Sequence, residues 1–266
     1  MRNNTLAEVT IKIQAEDRRN IRGVREVTGG LRSIQELPVV NAGSVVSAAS
    51  FAPFVPVAPG SLISISGERL AEGQAASSTV PLPTDLGGTE VLIAGRLMPL
   101  VSVSESRIDA IVPFDVEINT THQILVQRGL TISQPVSIDM AAAQPAIFQG
   151  RIYAVRSGDR ILAQAGAPAK RGDSIVIFCA GMGAVDGNAQ AGDAGPDAPR
   201  AAARLPVRLT IGGTEAAVSF AGMAPGLIGI YQIEASVPQS APSGDQTPVI
   251  FQIAGQTSPT VTMAIE

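Results

Sequence analysis

The chain has 266 residues, of which 45% are hydrophobic and 3% aromatic, and its formal net charge is −4. This length exceeds the roughly 100 residues of one β-sandwich, and the hydrophobic fraction excludes a disordered chain because it can supply two buried cores. The acidic balance lacks the positive surplus that neutralises phosphates, which argues against a nucleic-acid partner. No run of about 18 apolar residues occurs, so we expect no membrane span.

The first 44 residues predict an extension rather than a complete module. Apolar Val9, Ile11 and Ile13 alternate with polar residues, and this period of two is typical of a strand. No apolar stretch in the extension has the length of a signal peptide. We interpret residues 1–44 as a remnant that includes the last strand of a preceding module, which would make the parent protein longer than this chain.

Two short segments recur 125 residues further along the chain. They are Gly87-Gly88-Thr89-Glu90 with Gly212-Gly213-Thr214-Glu215, and Ile108 to Pro113 with Ile233 to Pro238. Because an internal repeat reflects a repeated structural unit, we predict two copies of one module, at residues 45–148 and 149–266.

The second copy is longer than the first. Residues 59–65 match residues 171–177 at an offset of 112 rather than 125, so the second copy holds 13 additional residues. We assign them to residues 184–204, which are rich in Ala, Gly and Asp. A surface loop is where such an insertion is tolerated.

Both copies have the pattern of an all-β fold. Short β-branched segments bounded by Gly, Pro or Asn predict strands at residues 62–65, 91–93, 108–112 and 124–126. Helical periodicity is scarce. We therefore predict two tandem immunoglobulin-like β-sandwiches, with the paired glycines in turns at positive φ.

No segment predicts catalytic apparatus or a cofactor site, so we expect no enzyme. His122, the only histidine, follows a polar turn and is interpreted as a solvated loop residue. Gly172-Asp173-Ser174 resembles a hydrolase motif, but the repeat makes it a turn and the start of a strand. Gly181-Met182-Gly183 is expected to be a turn at the end of a strand, and Cys179, between apolar neighbours, a buried core residue.

Four side chains in the predicted insertion could offer oxygen ligands to Ca²⁺. They are Asp186, Asn188, Asp193 and Asp197. Their spacing does not match an EF-hand loop, and the same residue types initiate turns in solvated loops that hold no ion. An ordinary surface loop is the alternative.

Residues 220–231 are apolar and rich in glycine, whereas the matching residues 95–106 are more polar. If this stretch is exposed, it forms a partner-binding patch. The contact residues would be Phe220, Met223, Leu227 and Tyr231. If it is buried, it packs between the two modules, which is the interpretation that we favour.

Six spaced motifs support a family resemblance over about residues 45–266. In chain order they are VSAASFAPFVPVAPGSLISISGERLA, PLPTDLGGTEVLIAG, RIDAIVPFDV, PAIF, RGDSIVIFCAGMGAVDG and AGMAPGLIGIYQIEASVP. Together they resemble the Solibacter uncharacterised C-terminal domain family. The resemblance implies paired immunoglobulin-like modules of the IPT/TIG type at the C-terminal end of large secreted or cell-surface bacterial proteins, and it carries over no catalytic residue.

Two functions compete at this point. The first is a structural, adhesion or protein-interaction module, whose partners are other domains of the parent polypeptide or surface proteins and polymers. The alternative is an accessory ligand- or carbohydrate-binding domain of a secreted enzyme, against which the scarcity of aromatic residues weighs.

Overall fold

The computed structural model describes residues 8–16, 22–30 and 36–266, and every regular element in these ranges is a β-strand. The chain divides into two compact units, Met1–Leu37 and Pro38–Glu266. In the first unit, β1 (Glu8–Glu16) pairs antiparallel with β2 (Arg22–Gly30). The strand expected around Ile11 is therefore confirmed, whereas its origin in a preceding module stays a prediction.

The second unit contains the two β-sandwiches. The strands of the first are β3 (Val39–Ser47), β4 (Leu62–Glu68), β5 (Ala75–Ala76), β6 (Asp85–Leu86), β7 (Thr89–Ile93), β8 (Arg96–Leu97), β9 (Leu100–Val103), β10 (Arg107–Ile111), β11 (Thr120–Arg128), β12 (Thr131–Ile132) and β13 (Val136–Met140). One sheet has the order β3-β4-β10-β9-β5, and the other has β12-β11-β7-β6 with β13 on β11. Without the two-residue strands these are the ABED and CFG sheets of a seven-stranded immunoglobulin domain. Strands A, B, E and D are β3, β4, β10 and β9, and strands C, F and G are β7, β11 and β13.

The second sandwich repeats this order. Its strands are β14 (Ala146–Arg156), β15 (Asp159–Leu162), β16 (Ser174–Ala180), β17 (Val207–Ile211), β18 (Thr214–Ala216), β19 (Val218–Met223), β20 (Tyr231–Ser236), β21 (Gly244–Ile253), β22 (Gln256–Thr257) and β23 (Val261–Ile265). The sheets are β15-β14-β16-β20-β19 and β18-β17-β21-β22, with β23 on β21. Strands A, B, E and D are here β14, β16, β20 and β19, and strands C, F and G are β17, β21 and β23. β15 is an additional edge strand, so the ABED sheet of the second sandwich is wider than a bare immunoglobulin sheet.

The strand pairing corrects the expected repeat. Thr89 to Ile93 lie opposite Arg128 to Ile124 in the first sandwich, and Val207 to Ile211 lie opposite Ile253 to Val249 in the second. Strand C is therefore repeated after 118 residues, although strands E and F are repeated after 125. The Gly87-Gly88 turn precedes strand C, whereas the Gly212-Gly213 turn follows it. The two Gly-Gly turns have the same sequence but are not at equivalent positions. Any tight hairpin needs residues at positive φ, so the same glycine pair can occur before or after a given strand.

The additional residues consequently fall in two places rather than in one loop at 184–204. The offset rises from 112 at strand B to 118 at strand C, which puts six residues into the connection 181–206. It rises again to 125 at strand E, which puts seven residues between β19 and β20. The second insertion overlaps the apolar stretch 220–231.

Each sandwich has its own core, formed by the inward residues of strands that alternate with a period of two. The first core includes Ile63, Ile65, Ile93, Ile108 and Ile124, and the second includes Ile175, Ile177, Ile211, Ile233 and Phe251. Burying each such side chain contributes about 1.5–3 kcal/mol. Cys179 is a free, fully buried thiol of the second core, as expected, and its burial raises its pKa.

Candidate functional site

The linker between the sandwiches, residues 141–145, lies directly on the end of β16. The amide of Gln144 donates to the carbonyl of Gly181 at 2.8 Å. A side chain at Gly181 or Gly183 would collide with the carbonyl of Gln144 or Ala142, and both glycines have positive φ. The Gly-Met-Gly motif therefore ends the strand, as expected, and also allows the linker to approach closely.

Tyr231 connects the second sandwich to the first. Its ring is 1% exposed, and its hydroxyl lies 2.8 Å from the carbonyl oxygen of Gly183 and 3.3 Å from that of Pro59. Burial raises the pKa of this phenol, and the nearby Cys179 raises it further. The hydroxyl is therefore neutral, and it donates its single proton mainly to the nearer Gly183 carbonyl, while the Pro59 carbonyl of the first sandwich lies against the same hydroxyl.

Two further residues of the first sandwich complete the contact. Phe114, which follows β10, is half-buried and packs against the core of the second sandwich. Gly60 lies so close to Phe114 and Tyr231 that a β-carbon there would overlap the ring of Phe114 and the hydroxyl of Tyr231. Its φ of +73° also favours glycine.

The seven-residue insertion between β19 and β20 covers the first sandwich directly. Gly229 is buried, and a β-carbon at this position would meet the side chains of Ile111 and Leu62. Ile111 is only 1% exposed as a result of this environment. The favoured interpretation of the apolar stretch, packing between the modules, therefore describes this part of it.

The connection 181–206 also lies on the first sandwich. The amide of Leu82 donates to the carbonyl of Gly192 at 2.9 Å, and a side chain at Gly192 would touch Pro99. The two insertions hydrogen-bond to each other as well, since Gly195 donates to Leu227 and Gly226 donates to Gly195, both at 2.8 Å. They form one body that spans the junction.

The four predicted calcium ligands do not all come together. Asp186, Asn188 and Asp193 line one cavity of about 430 Å³, and Asp197 is not among its lining residues. Arg204 lies 3.7 Å from Asp186, and within the described ranges no group of three or more His, Cys, Asp or Glu side chains could hold a metal. The calcium site stays a prediction, for which melting with Ca²⁺ against a chelator is the measurement.

The four residues predicted to contact a partner differ in their exposure to solvent. Met223 and Tyr231 are 3% and 1% exposed and belong to the second core, so their assignment to an exposed patch is wrong. Both side chains point inward because they follow the alternation of β19 and β20. Leu227 is 38% exposed, and Phe220 lies under Arg200, whose guanidinium carbon is 3.4 Å from the ring centroid. Leu227 and Phe220 remain predicted contacts.

Asp173 and His122, two polar residues considered for a functional role, both form hydrogen bonds within the fold. Asp173 accepts from the backbone of Lys170 and from the guanidinium of Arg156 at 2.8–3.0 Å. Burial alone would raise the pKa of this carboxyl, but these bonds outweigh it, so the pKa is lowered. His122 is half-buried within β11, with Nε2 2.7 Å from the Glu117 carbonyl, so its assignment to a solvated loop is wrong.

No family model matches the chain, and no curated protein matches it either. Solved structures give only loose similarities, several of them to tandem immunoglobulin domains. The I9–I11 tandem of titin is 10% identical with a TM-score of 0.23, covering 92% of this chain and 71% of its own. Domains 5–6 of the S-layer protein SbsC are 14% identical with a TM-score of 0.25, covering 86% of this chain and 98% of theirs.

The N-terminal eight immunoglobulin domains of Down Syndrome Cell Adhesion Molecule are 12% identical with a TM-score of 0.22. That alignment covers 98% of this chain, which spans only 27% of the DSCAM fragment. The fold assignment follows from the strand order of each sandwich, to which similarities this loose add nothing. Within the described residues, no helix has the length and hydrophobicity to cross a bilayer.

Proposed function

We propose that the chain is a non-enzymatic structural and protein-interaction module of a larger exported bacterial protein, of the type implied by the Solibacter C-terminal domain motifs. In this role the two sandwiches act as one fixed unit, at the cell surface or outside the cell, and hold their outer faces and loops at a set spacing. The partners would be other domains of the parent polypeptide or surface proteins and polymers.

One observation carries this proposal: the residues that distinguish the second sandwich from the first are used to fasten the two together. Gly229 in one insertion covers Ile111, and Gly192 in the other binds Leu82. A tandem that only needed a flexible tether would gain nothing from these insertions, since inter-domain motion is the default for small, polar interfaces.

The test is ¹⁵N relaxation of the full chain, in which a fixed tandem shows one rotational correlation time for both sandwiches. Gly229→Ala should separate the two correlation times because its β-carbon would meet Ile111 and Leu62. Gly226→Ala is the matched control: its φ of +72° is close to the +66° of Gly229, so the backbone strain is similar, but its β-carbon would point into open space. Independent tumbling of the wild-type sandwiches would contradict the proposal.

The alternative role, an accessory ligand-binding domain, gains support from one feature. The chain has only seven Phe and two Tyr residues, but Tyr153, Phe178 and Phe220 all lie on the wider sheet of the second sandwich. Scarcity in the composition weighs less against ligand binding when the aromatic residues are concentrated in this way.

A further inference from the structure

The outer face of the β15-β14-β16-β20-β19 sheet carries a cluster of aromatic rings and arginines. Tyr153 and Phe178 meet edge to face, with centroids 5.8 Å apart and planes at 73°. The guanidinium carbon of Arg160 lies 5.5 Å from the Phe178 centroid, and Arg151 Nη1 donates to the hydroxyl of Tyr153 at 3.1 Å. Each ring thus has a cation beside it.

The same face of the first sandwich shows that the scaffold does not require this cluster. There, Asp109 accepts from Ser64 at 2.5 Å, from Ser102 at 3.0 Å and from Arg107 at 2.9 Å, which closes a polar network. The strand registers set three of these residues against three of the second sandwich. The pairs are Ser64 with Val176, Ser102 with Phe220, and Asp109 with Glu234.

The charge of the cluster is not compensated within the described part of the chain. Over residues 36–266, no carboxylate forms an ion pair with Arg151 or Arg160, and both arginines are exposed. The chain as a whole is acidic, with a net charge of −4. An exposed positive patch on an acidic protein selects a negatively charged ligand by charge complementarity.

A cavity of about 370 Å³ adjoins the cluster and is lined with hydroxyl groups. Ser174, Ser219 and Ser236 contribute the hydroxyls, and all three residues are exposed. Arg160 and Glu234 also line it. Arg200 holds Glu234 through both carboxylate oxygens, at 2.6 and 3.2 Å. The cavity therefore presents hydrogen-bond acceptors and donors beside Arg160, the residue that it shares with the aromatic cluster.

We propose that this face binds a saccharide chain whose sugar units carry an anionic group, either a carboxylate or a sulfate. The anionic group lies between Arg151 and Arg160, the apolar face of a sugar ring packs on the exposed part of the Tyr153–Phe178 pair, and ring hydroxyls bond in the cavity. Serine hydroxyls beside an exposed aromatic pair suit a polyhydroxylated ligand better than an acidic peptide, because they offer hydrogen-bond partners for ring hydroxyls next to a surface on which a sugar ring can pack.

This inference rests on the proposed role in surface interactions, because it names the chemistry of one partner. Its failure is distinguishable from failure of the fixed tandem, since binding and rotational correlation times are measured separately. The binding site lies on one sandwich and needs no particular junction.

The experiment is titration calorimetry of the full chain with four polymers: polygalacturonate, dextran sulfate, uncharged dextran and polyglutamate. We expect binding to polygalacturonate, dextran sulfate or both, and the preferred polymer identifies the anionic group. Affinity for dextran and polyglutamate should be at least about tenfold weaker, the loss expected for one charge-assisted contact. Failure of both anionic polysaccharides to bind, or equally tight binding of polyglutamate, overturns the ligand class.

Variants locate the site. Arg151→Ala and Arg160→Ala should each weaken binding about tenfold, and Tyr153→Leu should weaken it by a similar factor through loss of the ring surface. Arg208→Ala is the matched control, because Arg208 is an exposed arginine of β17 on the opposite sheet of the same sandwich. A loss for Arg208→Ala equal to that for Arg160→Ala would show binding by net charge alone and would overturn this site.

Discussion

Equivalent positions in the two sandwiches can carry side chains with different surroundings. Ser61 and Asp173 follow the glycines at equivalent turns, and their carbonyls accept from Val112 and Val237, respectively. The Asp173 carboxylate accepts three hydrogen bonds at Oδ2, but the hydroxyl of Ser61 is buried and has no hydrogen-bond partner. A buried hydroxyl without a partner costs about 1–3 kcal/mol, so Ser61 marks a local weakness.

Replacing this hydroxyl should cost nothing. We expect Ser61→Ala to leave the free energy of unfolding unchanged or to raise it by up to about 1 kcal/mol, because an unsatisfied donor is removed. Ser64→Ala is the control: its hydroxyl is also buried but bonds Asp109 and Arg107, so its loss should cost about 1–3 kcal/mol. Urea denaturation measures both, and equal losses would show that Ser61 does have a partner.

At the scale of elements, equivalent hairpin turns of the two sandwiches differ in whether alanine or glycine occupies the position at positive φ. Ala94 has a φ of +50° where the second sandwich has Gly212, and Ala254 has a φ of +53° where the first has Gly129. An L-residue with a β-carbon pays about 1–2 kcal/mol in this left-handed region, which glycine avoids. Each sandwich therefore has one strained alanine at a turn position where the other sandwich has glycine.

Replacing each of these two alanines with the glycine found at the equivalent position should stabilise the turn. For Ala94→Gly and Ala254→Gly we expect about 0.5–1 kcal/mol of added stability each, since relief of strain exceeds the entropic cost of glycine. Ala76→Gly is the control, in an exposed strand position without positive φ, and it should lose about 0.5–1 kcal/mol. A destabilised Ala94→Gly would indicate that the turn relaxes away from positive φ in solution.

The strands themselves could be predicted from the sequence more reliably than the connections. β4, β7 and β11 contain the segments expected to be strands, and β10 contains all of its segment except Val112, because alternation with a period of two and β-branched residues are local signals. The connection before strand C is placed wrongly because the recurring Gly-Gly-Thr-Glu segment marks a turn without specifying which strand that turn follows. The bulge shared by β9 and β19 gives the offset of 118, but it is visible only in the strand pairing.

At the scale of the whole molecule, the two cores are joined by a side chain of the first sandwich. Phe114→Ala should therefore weaken amide-exchange protection in β16 and β20 of the second sandwich, at a cost of about 1–3 kcal/mol for a half-buried ring. Phe54→Ala is the control, because Phe54 belongs to the same sandwich and is 80% exposed. Hydrogen exchange followed by mass spectrometry reads each sandwich separately, and an effect confined to the first would contradict this coupling.

The sequence alone determined the all-β class, the two-module plan, the buried cysteine and the positive φ of the paired glycines. These follow from local chemistry: a two-residue alternation selects strands, and only glycine adopts the left-handed region without strain. The tertiary structure alone decided that Tyr231 joins the modules and that Arg160 lies beside Phe178. Such contacts join residues far apart in the chain, and strand register and packing bring them together, which no local pattern specifies.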